Sequence, residues 1–282
     1  MDSLILLEGV SFRYEGAGSR ALDDVRLSIA PGEFVGVIGP AGAGKTTLAH
    51  TLSGVVPHVR RGDFYGSARV AGLDTVTASV VELSKTVGCV FQDVESQFVT
   101  TMVEDEVLFA LENFDVPRDE IPARVDRALA DLNITDLRSR GISTLSGGQK
   151  QKVALAAALA LAPSALVLDE ATGELDPASS VQVFGLLSQL RRERGTTIIV
   201  IEQKIMLLCA YADRLLVMDQ GRVVIDGPVR RTLEQPDRLL SLGVNCPRVT
   251  TLAARLREKE LYHGPPPINL DEAETMVREA MA

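Results

Sequence analysis

Apolar residues along the chain follow two periods, and the places where one gives way to the other mark the predicted elements. Leu4 to Val10 and Ala21 to Ile29 alternate or cluster apolar residues on either side of Gly16 to Ser19, which predicts an opening pair of short antiparallel strands. Phe34 to Ile38 is a compact apolar run that ends at a glycine, and helical character begins at Thr46, so this stretch reads strand, tight loop, helix. Val87 to Phe91 predicts another buried strand. Val103 to Leu111 and Pro122 to Leu132 then show helical spacing without a long β-branched run, so residues from about 92 to 160 are expected to form a mainly helical lobe. Leu166 to Leu168 and Thr196 to Ile201 are continuous apolar runs of the kind buried on both faces of a parallel sheet. The helix Ser179 to Arg194 between them completes a β-α-β crossover. Arg214 to Met218 and Arg222 to Ile225, split by Asp219-Gln220-Gly221, predict a closing hairpin. Beyond Gly227-Pro228 come short amphipathic pieces punctuated by Pro236, Pro247 and Pro265 to Pro267, so the chain is divided into residues 1–228 and a small extension, 229–282.

The 282 residues suffice for one large core or two unequal ones, and a hydrophobic fraction of 46% is that of a globular protein. A formal net charge of -9 argues against nucleic-acid binding, which needs clustered basic surface to displace phosphate counterions. Cys89, Cys209 and Cys246 are far apart without CxxC spacing, so neither a disulfide framework nor a zinc site is indicated; buried thiols in a reducing cytoplasm account for them. Asp2 and Glu8 flank the short run Leu4 to Leu7, which is neither a signal peptide nor a spanning helix. No later stretch approaches the roughly 18 uninterrupted apolar residues of a bilayer crossing. The chain is expected to be soluble by itself and to serve a membrane process only by docking onto another protein's helices.

Three short motifs carry the chemistry. Gly39-Pro40-Ala41-Gly42-Ala43-Gly44-Lys45-Thr46 satisfies GxxxxGK[ST] between a predicted strand and a predicted helix. Small residues let backbone N–H groups wrap a triphosphate, the helix start presents its positive end, the Lys45 ammonium reaches the outer phosphates and the Thr46 hydroxyl ligates Mg²⁺. A glycine-rich turn feeding an ordinary helix is the plainer alternative for this motif alone. Leu166-Val167-Leu168-Asp169-Glu170 places two carboxylates at the C-terminal end of a buried strand, where α/β sheets present ligands. Asp169 suits the Mg²⁺ hydration shell, and Glu170, on the other side of the strand end, suits the orientation and deprotonation of an attacking water. Acids that merely cap strand ends look the same in isolation. Leu145-Ser146-Gly147-Gly148-Gln149 is a second small-residue anion cradle, in which Ser146 can N-cap the following helix. Two cradles in one chain are explained if two chains meet head to tail, each cradle binding a different face of one nucleotide; an ordinary capped helix is the alternative.

Gly39 to Thr46, Gln92, Leu145 to Gln149 and Asp169-Glu170, in this order, resemble the nucleotide-binding subunit of an ABC transporter over residues from about 4 to 228. The resemblance implies an α/β fold: a P-loop NTPase core with a mixed sheet, an N-terminal antiparallel β subdomain, a helical signature-motif subdomain and a small C-terminal extension. Within the superfamily, Gln97-Phe98-Val99, Val103 to Val107 and Leu111-Glu112-Asn113 resemble the ATPases of energy-coupling factor (ECF) transporters, which import vitamins and transition metals. Leu242-Gly243, Pro247 to Leu252 and Leu256-Arg257 are similar to that family's C-terminal extension, through which two ATPase subunits touch. The implied activity is ATP hydrolysis with ATP and Mg²⁺. The implied partners are a second ATPase subunit, identical or not, a transmembrane coupling subunit and a membrane substrate-binding subunit, at the cytoplasmic face of the cell membrane.

Roles also follow from the resemblance. Tyr14 stands where the family stacks an aromatic ring on adenine, a core tyrosine being the alternative. Gln92 matches the glutamine that contacts Mg²⁺ and the attacking water, Asp176 the aspartate linking the two half-sites, and Thr47 joins the nucleotide-binding positions beside Thr46. Glu104-Asp105-Glu106, with Glu95, are expected to meet arginines of the membrane partner, or else to form a solvated face.

Two departures matter. Gln203, in Glu202-Gln203-Lys204, occupies the usual histidine position, where an amide donates a hydrogen bond but exchanges no proton near neutral pH. Gly173-Glu174 replaces the usual small pair before Leu175-Asp176. Both suggest a nucleotide-binding regulatory subunit with an impaired site in a heterodimer; Glu170 and the intact Leu145 to Gln149 favour the competent enzyme. A soluble ATPase of DNA repair or translation is disfavoured by the single cassette, the lack of a long coiled-coil insertion and the acidic charge.

Overall fold

In the computed structural model, which describes residues 3–281, the chain runs through β1 (Ile5–Tyr14), β2 (Leu22–Ile29), β3 (Phe34–Ile38), α1 (Lys45–Leu52), α2 (Val55–His58), β4 (Gly62–Val70), β5 (Leu73–Asp74), α3 (Val80–Ser84) and β6 (Val87–Val90). It continues with α4 (Val103–Asn113), α5 (Ile121–Asp131), α6 (Gly147–Ala160), β7 (Ala165–Asp169), α7 (Pro177–Arg194), β8 (Thr197–Ile201), α8 (Ile205–Tyr211), β9 (Arg214–Asp219) and β10 (Arg222–Pro228). Four helices close it: α9 (Val229–Leu233), α10 (Pro236–Ser241), α11 (Arg248–Glu258) and α12 (Leu270–Ala280). Asp2 lies outside the described residues.

The continuous apolar runs become the central strands because each must bury both faces. In the six-stranded sheet, ordered β10-β9-β3-β8-β7-β6, every neighbouring pair is parallel except the β9–β10 hairpin. Successive residues point to opposite faces. Val35 and Val37, Val167, Ile199 and Ile201, and Leu216 and Met218 pack with α1 and β1 into one core. Phe34 and Ile38, Leu166 and Leu168, Ile198 and Val200, and Leu215 and Val217 join the other, with the helices. A four-stranded antiparallel sheet, ordered β2-β1-β4-β5, covers the first face. The expected α/β fold with a mixed sheet and an N-terminal antiparallel sheet is present; β4 and β5 were not among the elements read from the sequence.

Helices α4, α5 and α6 pack through Val107, Leu111, Val125, Leu129 and Val153, all buried. Three of the acids expected to meet a partner's arginines, or else to form a solvated face, have partners within the chain. Glu104 pairs with Arg138 at 2.6 Å, and Arg138 also holds Asp126. Glu106 is 7% exposed and accepts hydrogen bonds from the Thr100 amide (2.8 Å) and hydroxyl (2.9 Å). Glu95 pairs with Lys150. Burying or pairing a carboxylate within the chain satisfies it locally, which leaves Asp105 as the exposed acid of the group without an ion pair among the described residues.

The C-terminal helices divide their packing. Val229, Leu233, Leu239 and Val244 enter the larger core. Ala253, Tyr262 and Met276 form a small cluster of their own, tied back by a two-pronged pair from Arg230 to Glu272 (2.9 and 2.6 Å). No helix among the described residues is long and apolar enough to cross a membrane.

Candidate functional site

The loop after β3 is bent by three glycines in the left-handed region, Gly39 (φ 155°), Gly42 (φ 76°) and Gly44 (φ 97°). Space as well as φ demands two of them: a Cβ at Gly39 would lie 2.2 Å from the Met218 carbonyl oxygen, and one at Gly44 2.4 Å from that of Ala21. The Gly44 cap supplies no side-chain acceptor to the first turn of α1. The helix therefore presents open N–H groups and its positive end to the loop. Lys45, 9% exposed, folds its ammonium back onto the Gly39 and Pro40 carbonyl oxygens at 2.8 and 2.9 Å. A cation so placed at the mouth of an amide-lined loop is a receptor for phosphate oxygens.

Asp169 ends β7 and is 1% exposed. Burial raises its carboxyl above the ordinary aspartate range, opposed mainly by the hydrogen bond from Thr46, while Glu170 adds to the rise and Lys45 opposes it. One of its oxygens, Oδ2, is buried without a hydrogen-bond partner among the described residues. A buried carboxylate oxygen without a partner, beside a threonine hydroxyl, is the donor set a hydrated Mg²⁺ takes, so the residues present fit that ion.

Glu170 follows in a left-handed conformation (φ 52°), unusual for a non-glycine residue and of a kind that clusters at functional sites. Its amide donates to the Ile201 carbonyl oxygen at 2.9 Å, anchoring it across to β8. The Gln203 amide donates to Glu170 Oε1 at 2.8 Å. Gln92 stands two residues beyond β6, in a turn that Gln97 fixes by accepting from the Phe91 amide at 2.9 Å. Gln92, Glu170, Gln203 and residues 39–47 line one cleft of about 590 Å³. All of them follow the C-terminal ends of parallel strands, where α/β sheets bind ligands.

The other positions are placed elsewhere. Tyr14, half-buried at the end of β1, is edge-on to Phe12 with ring centres 4.8 Å apart, and its hydroxyl hydrogen-bonds Thr47 at 3.0 Å. It lines an adjoining depression with Arg13 and Arg61 and joins the cleft through Thr47. Ser146 caps α6 reciprocally with Gln149, accepting from its amide at 3.3 Å while the Gln149 side chain accepts from Ser146 N at 3.0 Å. Ser146, Gly147, Gly148, Gln149 and Asp176 line a separate pocket of about 380 Å³ that shares no residue with the first. Asp176 caps α7 by accepting from the Ser179 amide at 2.9 Å, and the Ser179 hydrogen bonds hold its carboxyl below the ordinary range. Glu174 lies against the cradle: a Cβ built on Gly147 would fall 1.5 Å from Glu174 Oε2.

Two groups at the site escaped sequence reasoning. Glu202, 3% exposed, accepts from the Thr172 hydroxyl, the Gln203 amide (2.8 Å) and the Lys204 amide (3.2 Å). The Lys204 ammonium donates to the Thr172 carbonyl (2.6 Å) and Ser180 hydroxyl (3.0 Å). They clamp the loop that carries Gln203 against the loop that carries Glu170; two charges directly after a buried strand were the available signal. The second group, Gly243, Val244 and Asn245, reaches the cleft from the C-terminal segment; in the sequence, Leu242-Gly243 reads only as part of an extension between subunits, with nothing to tie it to the nucleotide.

The ABC transporter family pattern matches residues 22–173. The energy-coupling factor transporter ATP-binding protein EcfA1 of Levilactobacillus brevis is 37% identical over 92% of this chain and 90% of its own. The solved structure of cbiO1 from Clostridium perfringens, described as part of the ABC transporter complex cbiONQ, superposes with a TM-score of 0.73 at 30% identity, covering 89% of this chain and 99% of that one. A dimeric structure of the ATP-binding cassette MJ0796 in a post-hydrolysis state with ADP and Pi gives a TM-score of 0.71 at 26% identity, covering 80% and 99%. With the glycine-bent phosphate loop, the paired acids of β7 and the capped second cradle in one chain, this protein belongs to the ABC transporter ATP-binding family and is an ATPase.

Proposed function

We propose that the chain is the ATP-binding and ATP-hydrolysing subunit of an ECF-type importer, peripheral to the cytoplasmic face of the cell membrane, and that it energises uptake of a vitamin or a transition-metal ion. The observation that carries the reading is the separation of the two cradles: the Lys45 cleft and the Ser146 pocket share no lining residue. A triphosphate held by Lys45 is therefore completed by Ser146 of a second chain, and head-to-tail pairing closes two such sites. Residues 229–282 supply further contact between the subunits. The likeness to EcfA1 and cbiO1 supports the importer type.

Within each site, Glu170 orients a water on the outer phosphorus and accepts its proton as the terminal phosphoanhydride bond breaks, leaving ADP and phosphate. Gln203 holds that carboxylate in place and Lys45 stabilises charge on the outer phosphate oxygens. Thr46, Gln92 and Asp169 would hold Mg²⁺, which when bound neutralises charge on the outer phosphates. Tyr14 offers its ring to the base. Closure of the pair moves the helical lobes, whose exposed Val99 (64%) and Phe109 (40%) offer apolar footing to a transmembrane partner.

A second reading, an asymmetric pair with one weak site, is favoured by Glu174. Its carboxylate against Gly147 places negative charge in the cradle that receives a second chain's phosphate. Isolation from native membranes under mild detergent tests the function: the chain is expected to co-purify with a multi-span coupling protein, and the complex to release phosphate from ATP. Recovery free of any membrane protein, with ATP turnover unaltered, overturns the transport reading.

A further inference from the structure

The C-terminal segment reaches the nucleotide cleft of its own chain. Helix α10 ends in a tight reversal: the Gly243 amide donates to the Leu240 carbonyl and the Val244 amide to the Leu239 carbonyl, both at 2.9 Å, with Gly243 left-handed at φ 71°. This reversal sets Gly243 against the phosphate loop, where a Cβ would lie 3.6 Å from the Pro40 Cβ. Val244, 6% exposed, pins the turn to the larger core. Pro247 then starts α11. The turn is thus fixed on both sides, and Asn245, exposed and free of hydrogen bonds to other described residues, is left on the wall of the cleft.

The end of the cleft it occupies is defined by its neighbours. Pro40, against which Gly243 lies, accepts from the Lys45 ammonium, which serves the outer phosphates, and Gln203, lining the same cleft, meets Glu170. Tyr14, which offers its ring to the base, lines the adjoining depression and meets this cleft through Thr47. A carboxamide carries N–H donors that match a phosphate oxygen, and it brings no charge that would repel one. We propose that Asn245 is a nucleotide-contacting residue that donates to the terminal phosphate of ATP bound in its own chain, so that residues 243–245 distinguish triphosphate from diphosphate. Through Val244 and Pro247 that contact is transmitted to α10 and α11, which makes the placement of the C-terminal helices depend on the nucleotide. The inference rests on the assignment of Gly39 to Thr46 as the ATP site.

Calorimetric titration of the full chain in Mg²⁺, with a non-hydrolysable ATP analogue and separately with ADP, tests it. Asn245→Ala is expected to weaken the triphosphate about 10-fold, the loss of one hydrogen bond to a charged acceptor, and to leave ADP unchanged. Asn245→Asp is expected to weaken it further by like-charge repulsion, again sparing ADP. Amide exchange at residues 243–246 should slow with the analogue and not with ADP. Wild-type affinity for both nucleotides in both variants, or equal weakening of the two nucleotides, overturns the proposal. A Lys45→Ala control separates the two claims. If it loses both nucleotides while the Asn245 variants lose none, only the role of Asn245 falls; if it keeps both, the ATP site itself is misassigned.

Discussion

Glu170→Gln is expected to lower steady-state ATP turnover by about 10²- to 10⁴-fold, the range supplied by a positioned general base, while ATP still binds. The glutamine is nearly isosteric, so its side-chain oxygen can still accept from Gln203, as Glu170 Oε1 does at 2.8 Å, and the backbone anchor to Ile201 is untouched. What disappears is the group that takes the water's proton. Gln203 cannot replace it, because a neutral amide neither gains nor loses a proton near pH 7. Phosphate release under saturating Mg-ATP measures the effect, and the substitution should leave thermal unfolding nearly unchanged. Turnover within about 2-fold of the parent would assign the base elsewhere.

The second large effect is expected from Lys45→Ala, which should weaken ATP binding by about 10- to 100-fold, the cost of losing charge-assisted hydrogen bonds to phosphate. Lys45 is mostly buried and its ammonium donates to two carbonyl oxygens of its own loop, with no ion pair among the described residues; Asp169 loses only the smallest of the effects that act on it. Alanine also favours the first turn of α1. Folding should therefore survive, and a fluorescent-nucleotide titration reads the loss directly. Unchanged affinity would mean that the loop does not hold the triphosphate.

The strand-and-loop core was legible because its signals are local. Phe34 to Ile38 had to be buried on both faces, and Gly39, Gly42 and Gly44 adopt conformations that other residues resist, so a strand, a bent loop and a helix follow from a dozen residues. Asp169 and Glu170 were readable for the same reason, at the end of a run too apolar to lie anywhere but inside. Strand β4 was not. Its sequence is mostly polar, begins at Gly62 and contains Gly66, a pattern without strand alternation, yet both glycines approach β1 closely: a Cβ would meet the Arg13 carbonyl oxygen at 2.1 Å and that of Gly9 at 2.5 Å. The in-chain partners of Glu95 and Glu104, Lys150 and Arg138, were not legible because only tertiary packing joins them. Asn245 was invisible for a similar reason: it is 199 to 206 residues from the phosphate loop that it faces, and only the fold brings them together.

The most direct test of the shared-site claim is a crystal structure of the Glu170→Gln chain, with whichever subunit pairs with it, in saturating Mg-ATP. The Lys45 ammonium is predicted to sit within hydrogen-bond distance of the outer phosphates, and the serine cradle of the opposing subunit to close over the same triphosphate. Nucleotide bound away from Lys45, or a triphosphate left facing solvent with no cradle across from it, would contradict the account.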